Sequence, residues 1–165
     1  MQNDTENRPV RSQLLVLLCF LTFINSISGL WTHAERLWNP VIVSEQTIEV
    51  FNVARDQIES RVQAKDQEIT ENFLDSIVAS INPSTIRNSA IVMLLFHSIT
   101  LFGAYLMWNL QKRGYQIYLG GILVLILGSL MLEVGGMGMI TLLPSVFFSG
   151  IFALIYRSQR KYWIY

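Results

Sequence analysis

The sequence predicts an all-α, polytopic membrane protein: four transmembrane helices with an extracytoplasmic amphipathic helical hairpin between the first and second. Three observations carry that expectation. Four apolar stretches, at 13–31, 90–110, 115–134 and 137–156, each come close to the ~20 residues a helix needs to cross a ~30 Å hydrocarbon slab. None of them contains Lys, Arg or Asp, and Glu133, near the end of the third, is their only acid. The bulk composition agrees, because 52% hydrophobic residues, 15% charged residues and a mean hydropathy of +0.39 are outside the range of an ordinary soluble domain.

Charge placement supplies the third observation. Arg8 and Arg11 precede the first span, Lys112 and Arg113 fill the turn between the second and third, and Arg157, Arg160 and Lys161 follow the fourth. With four spans these segments share one side, holding seven basic residues against two acids, while the other side holds five against ten. Basic segments stay on the cytoplasmic face, so the N-tail 1–12 and the C-tail 157–165 are both expected there. Three or five spans would scatter the same charges over both faces.

Taken in order, the first span imitates a secretory signal, with arginines ahead of an apolar run. The nearest small-x-small triplet, Ser26-Ile27-Ser28, lacks alanine, and the run continues through Leu30 and Trp31, which favours an uncleaved helix. The loop at 33–88 is too long for a simple connection. It contains neither Gly nor Pro from Val41 to Asn82, and Ile48, Phe51, Ile58, Val62, Ile69, Phe73, Ile77 and Ile81 recur mostly three or four residues apart, the spacing of a helical stripe. One unbroken helix of that length would rise ~60 Å and leave no chain for the return. A hairpin follows, with helices near 44–62 and 67–81 and a turn in the polar segment 63–68. Asn82 or Ser84, flanking Pro83, should cap the next helix. The alternative is a pair of helices lying flat on the bilayer, which their acidic polar face disfavours.

The third span is organised by glycine. Gly114, Gly121, Gly128 and Gly135 recur every seven residues, two turns of a supercoiled helix, and so share one stripe. In lipid such a stripe lets a neighbouring helix approach closely. The fourth span has its own small-residue series, including Gly138, Ser145 and Ser149, which is expected to meet that stripe. Pro144 lies inside this span and should bend it. Trp and Tyr residues gather near the span ends as interfacial anchors.

Few residues suggest chemistry. The lone Cys19 excludes an intramolecular disulfide, a cysteine zinc site and the two-cysteine relay of quinone-linked thiol oxidoreductases. His97, about two turns into the second span, is first read as a structural histidine bonded to a neighbouring helix and second as a group that handles protons or substrate. Pairing with His33 around a haem is set aside, because His33 falls at or beyond the outer end of the first span. Glu133 is read as an interfacial acid, with proton or substrate handling as its alternative role. Asn25, Ser26, Ser28, Ser98 and Thr100 form a loose polar set, expected to make interhelical hydrogen bonds. There is no P-loop, Gly-x-Ser-x-Gly or His-Glu-x-x-His motif. Zero net charge without a basic-aromatic patch excludes a nucleic-acid binder. No cofactor is implied.

The opening Arg8-Pro9, the run Leu17-Leu18-Cys19-Phe20-Leu21-Thr22-Phe23-Ile24, the amphipathic loop and the closing Gly-rich spans resemble a set of small four-span proteins of Bacteroidota. That resemblance implies a bacterial inner membrane and no activity. The expected function is therefore non-enzymatic: an accessory, assembly or interaction subunit of a larger membrane complex, or a homo-oligomer. A small oligomeric transporter or channel using His97 and Glu133 is the alternative.

Overall fold

The computed structural model describes residues 11–59, 67–131 and 135–160. Six helices follow in order: α1 (Gln13–Trp38), α2 (Pro40–Glu59), α3 (Gln67–Ser80), α4 (Pro83–Trp108), α5 (Arg113–Met131) and α6 (Gly135–Ser158). No strand occurs among the described residues. α1, α4 and α5 are long and apolar enough to cross a membrane, and α6 contains a shorter apolar segment, Leu142–Ser158. The expected turn of the loop and Glu133 lie outside the described residues.

Caps, not the edge of the hydrocarbon, set the helix ends. Ser12 accepts the Leu15 N–H at 3.1 Å and Asn82 accepts the Thr85 N–H at 2.9 Å, each satisfying a donor that the first turn leaves open. α1 and α4 each run for 26 residues. α4 starts at its Asn82 cap, ahead of the bound 90 expected from hydropathy, and α1 continues past the bound 31 to close at Asn39, whose N–H donates to Glu35 O at 2.9 Å. Their polar ends, Thr32 to Arg36 and Ser84 to Asn88, remain helical because helical hydrogen bonding continues where water begins. At the other end of α4 the chain closes a Schellman turn: the Leu110 N–H donates to Met107 O at 2.9 Å and the Gln111 N–H to Leu106 O at 3.0 Å. Leu110 holds the left-handed position at φ 59°, which costs a residue with a Cβ about 1 kcal/mol or more. Its side chain is buried in the core, and that packing offsets the strain.

α4 is the central helix, packed on both α1 and α5. The glycines of α5 face it. A Cβ at Gly114 would fall 2.6 Å from Met107 N and 2.7 Å from Gly103 O, one at Gly121 would fall 2.8 Å from Thr100 Cγ2, and one at Gly128 would fall 3.1 Å from the Val92 methyls. The stripe thus meets α4 and Gly103, not the small residues of α6. Gly135 and Gly138 fall in the first turn of α6, where side-chain surroundings lie outside the description.

Three basic segments come together at one end of the bundle. The Arg11 guanidinium lies over Trp108 at 5.0 Å, Arg160 lies over Tyr115 at 5.8 Å, and Ser12 donates to Gln159 Oε1 at 2.6 Å. The core at this end joins Leu15, Leu18, Cys19, Met107, Leu110, Tyr118, Ala153 and Tyr156. A second cluster of Val92, Met93, Phe96 and Leu125 lies further along α4 and α5.

Beyond the opposite end, α2 lies against α4, and α3 lies against α6. Leu74, Ile77 and Ile81, spaced for one helical face, are buried. Arg55 Nη1 donates to Asp75 Oδ1 at 2.7 Å and ties α2 to α3.

Candidate functional site

α1 and α6 meet at the basic end and part beyond it. At the junction the Thr22 and Tyr156 hydroxyls are 2.9 Å apart, and Thr22 also donates to Leu18 O at 2.9 Å. From there a cleft of about 860 Å³ extends between α1, α4 and α6 to Arg36, near the end of α1. It is long as well as wide: Leu21 and Arg36 both line it, and 15 residues of helix between them rise ~22 Å.

The walls are divided by chemistry. On α1, Asn25, Ser28, Thr32 and Arg36 recur at three- and four-residue steps and form a polar stripe. Asn25 and Ser28 are exposed in the middle of a helix long enough to span a membrane. His97 and Thr100 contribute from α4, Ser145 and Ser149 from α6. Leu21, Ile24, Phe148 and Phe152 supply the apolar part. Among the described residues the lining contains one arginine and two histidines and no acid.

His33 and His97, which the expected span bounds kept apart, are neighbours because α1 continues as a helix past the hydrocarbon. Their rings stack, with centroids 5.5 Å apart and planes 21° from parallel. That arrangement differs from the end-on opposition through which two histidines grip a haem iron. Both rings are buried, and neither Nδ1 has a hydrogen-bond partner among the described residues. Leaving such a group unmet costs about 1–3 kcal/mol. Native proteins bear that cost where water, an ion or a ligand completes the group. Through Nδ1, at least, His97 does not make the interhelical hydrogen bond expected of it among the described residues. Phe96 packs against its other side at 4.9 Å.

Gly29 makes room for the pair. A Cβ built there would fall on the His97 ring, at Nε2, Cε1 and Cδ2. Gly29→Ala should displace the imidazole and lower stability by about 1–3 kcal/mol, the usual cost of overpacking. Melting in detergent checks this. The double variant with His97→Ala should recover most of the loss, and simple additivity of the two effects would show that the glycine and the ring do not meet.

Of the polar set expected from sequence, Ser26 and Thr100 pair at 3.4 Å, and Asn25 and Ser28 line the cleft, whereas Ser98 is exposed and outside it. Ser145 and Ser149 also line the cleft. Gly29 and Arg36 were not among the expected site residues. The spacing of Asn25, Gly29, Thr32, His33 and Arg36 would have found them had the first helix been followed beyond Trp31.

Six helices and no strand among the described residues, with several helices long and apolar enough to cross a membrane, define a multi-pass membrane protein of the all-α class. Against protein-family models, curated proteins and solved structures, no significant match is found.

Proposed function

We propose that this protein is a non-enzymatic subunit of a larger membrane assembly, of the bacterial inner membrane, with four spans, both termini in the cytoplasm and α2 and α3 forming an extracytoplasmic hairpin that meets the partner. The convergence of Arg11, Arg113 and Arg160 at one end of the bundle supports the topology. The observation that carries the function is the surface of the hairpin. α2 and α3 carry seven acids against one arginine, yet leave Val50, Ile69 and Phe73 at 70%, 72% and 61% exposure. Acidic helices are repelled by anionic lipid, so burial of these side chains against the bilayer is disfavoured and a protein surface suits them better. The glycine face of α5 is consumed inside the chain and offers nothing to a partner.

Purification from native membranes in mild detergent should bring down a stoichiometric companion. Ile69→Glu with Phe73→Glu should release it while the bundle's melting temperature stays within a degree or two, since both side chains are exposed. A wild-type protein that elutes alone as a monodisperse monomer opposes the proposal. A second reading, small-molecule transport, is favoured by His97 facing the same cleft as Arg36. Reconstituted flux abolished by His97→Ala would replace the first reading with it.

A further inference from the structure

The cleft between α1 and α6 plays no part in the assembly described above, and its chemistry is specific enough to name an occupant. Arg36 presents a guanidinium with five N–H donors and makes no ion pair among the described residues. Among the described residues no acid lines the cleft to neutralise it. A charge beside a membrane calls for a counter-charge or for water. Arg36 sits two residues from the end of α1, between the exposed Trp31 and Trp38. Exposed tryptophans of this kind settle at the headgroup level of a bilayer, and Arg36 is placed there with them. Thr32 and His33 lie one turn below on the same wall. Further down, Ile24, Phe148 and Phe152 give a continuous apolar flank, and Ile24 and Phe148 are exposed to the bilayer side. The ~22 Å from Arg36 to Leu21 exceeds the ~15 Å of one leaflet.

We propose that this cleft holds a membrane lipid with an acidic headgroup, its phosphate between Arg36 and the His33–Thr32 turn and one acyl chain along Ile24, Phe148 and Phe152. Guanidinium and phosphate form paired, charge-assisted hydrogen bonds that seat the headgroup. The selectivity comes from net charge, since phosphatidylcholine brings a quaternary ammonium against the Arg36 cation and phosphatidylglycerol does not. The chain enters sideways from the bilayer, and the hydroxyls of Ser28 and Thr32 reach the ester region below the headgroup.

Native mass spectrometry of the full-length protein, delipidated in detergent and supplied with phosphatidylglycerol or phosphatidylcholine, tests this. Phosphatidylglycerol should be retained at least about tenfold more tightly, a preference worth ~1.4 kcal/mol. Arg36→Gln should remove most of the preference, and Arg157→Gln, at the basic end, should leave it intact. Two internal checks keep the result interpretable. Melting of the Arg36→Gln protein should match wild type, because the side chain is only half-buried. Substituting Ile24→Asn should weaken both lipids, since it breaks the apolar flank. Equal retention of the two lipids overturns the proposal, as does a preference that survives Arg36→Gln. Displacement of phosphatidylglycerol by glycerol phosphate alone would also overturn it, because the cleft would then be reading a free anion. Loss of a protein companion in the hairpin variants has no bearing on these outcomes.

Discussion

Leucine at Gly114 is expected to keep α4 and α5 from closing and to leave little folded protein in the membrane. The two backbones touch where Gly103 and Gly114 face each other: a Cβ at Gly103 would fall 2.8 Å from Tyr118 N and 2.9 Å from Gly114 O, and one at Gly114 would approach Met107 N and Gly103 O still more closely. Backbone atoms cannot rotate away, so even alanine at either position must push the helices apart, at about 1–3 kcal/mol each. The rest of the stripe should grade downward. At Gly121 the obstacle is the Thr100 methyl, and turning it would cost the bond from the Thr100 hydroxyl to Phe96 O at 2.8 Å. At Gly128 the Val92 methyls need to yield only a few tenths of an ångström. Gly120 and Gly150 face open space, and alanine there should be neutral or raise stability by up to ~1 kcal/mol through helix propensity. Melting of the six alanine variants in one detergent measures the order. Damage at Gly120 equal to that at Gly114 would mean that the stripe does not pack on α4.

Periodicity made the helices and the packing face legible, since glycines seven residues apart within one helix share a stripe whatever it meets. The fourth of the series, Gly135, begins α6 and so leaves the stripe to Gly114, Gly121 and Gly128. The identity of the partner was not legible. α5 and α6 adjoin in sequence and both carry small residues, but the close approach is made by Gly103 on α4, a single glycine that belongs to no repeat. The cleft was hidden for a different reason. Hydropathy marks where hydrocarbon ends, and the first helix was expected to end with it near Trp31, yet an α-helix stops where its hydrogen bonding stops, here at Trp38. The seven residues between include Thr32, His33 and Arg36, which complete the stripe begun by Asn25 and Ser28 and bring the two histidines together. Glycine at 29 carries no chemical signature in sequence, because its role is to be absent where an imidazole lies.

Tyr156→Ala is expected to be the most damaging change outside the glycine face, at about 3–5 kcal/mol. Tyr156 has 0% exposure and its ring meets Tyr118 edge-on at 5.3 Å, inside the cluster that joins α1, α4, α5 and α6 at the basic end. Truncation leaves a hole that surrounding helices, fixed by the Gly103–Gly114 contact, are poorly placed to fill. α1 would then be held to α6 by the smaller contacts of Ala153, Phe152 and Ile155 and by the Ser12–Gln159 hydrogen bond, which caps a helix end. Tyr156→Phe separates the ring from its hydroxyl. Thr22 keeps its bond to Leu18 O, the buried Cys19 thiol loses only a weak contact with the hydroxyl, and the loss should be about 1 kcal/mol, in line with side-chain hydrogen bonds between membrane helices. A thermal melt of the two variants side by side measures the difference. Equal losses would place the strength of the junction in the hydroxyl pair, whereas a large gap places it in the packed ring. In the second case the cleft is a consequence of packing: α1 and α6 are clamped at one end by an aromatic core, and the small and polar side chains beyond it have too little volume to close the remaining space.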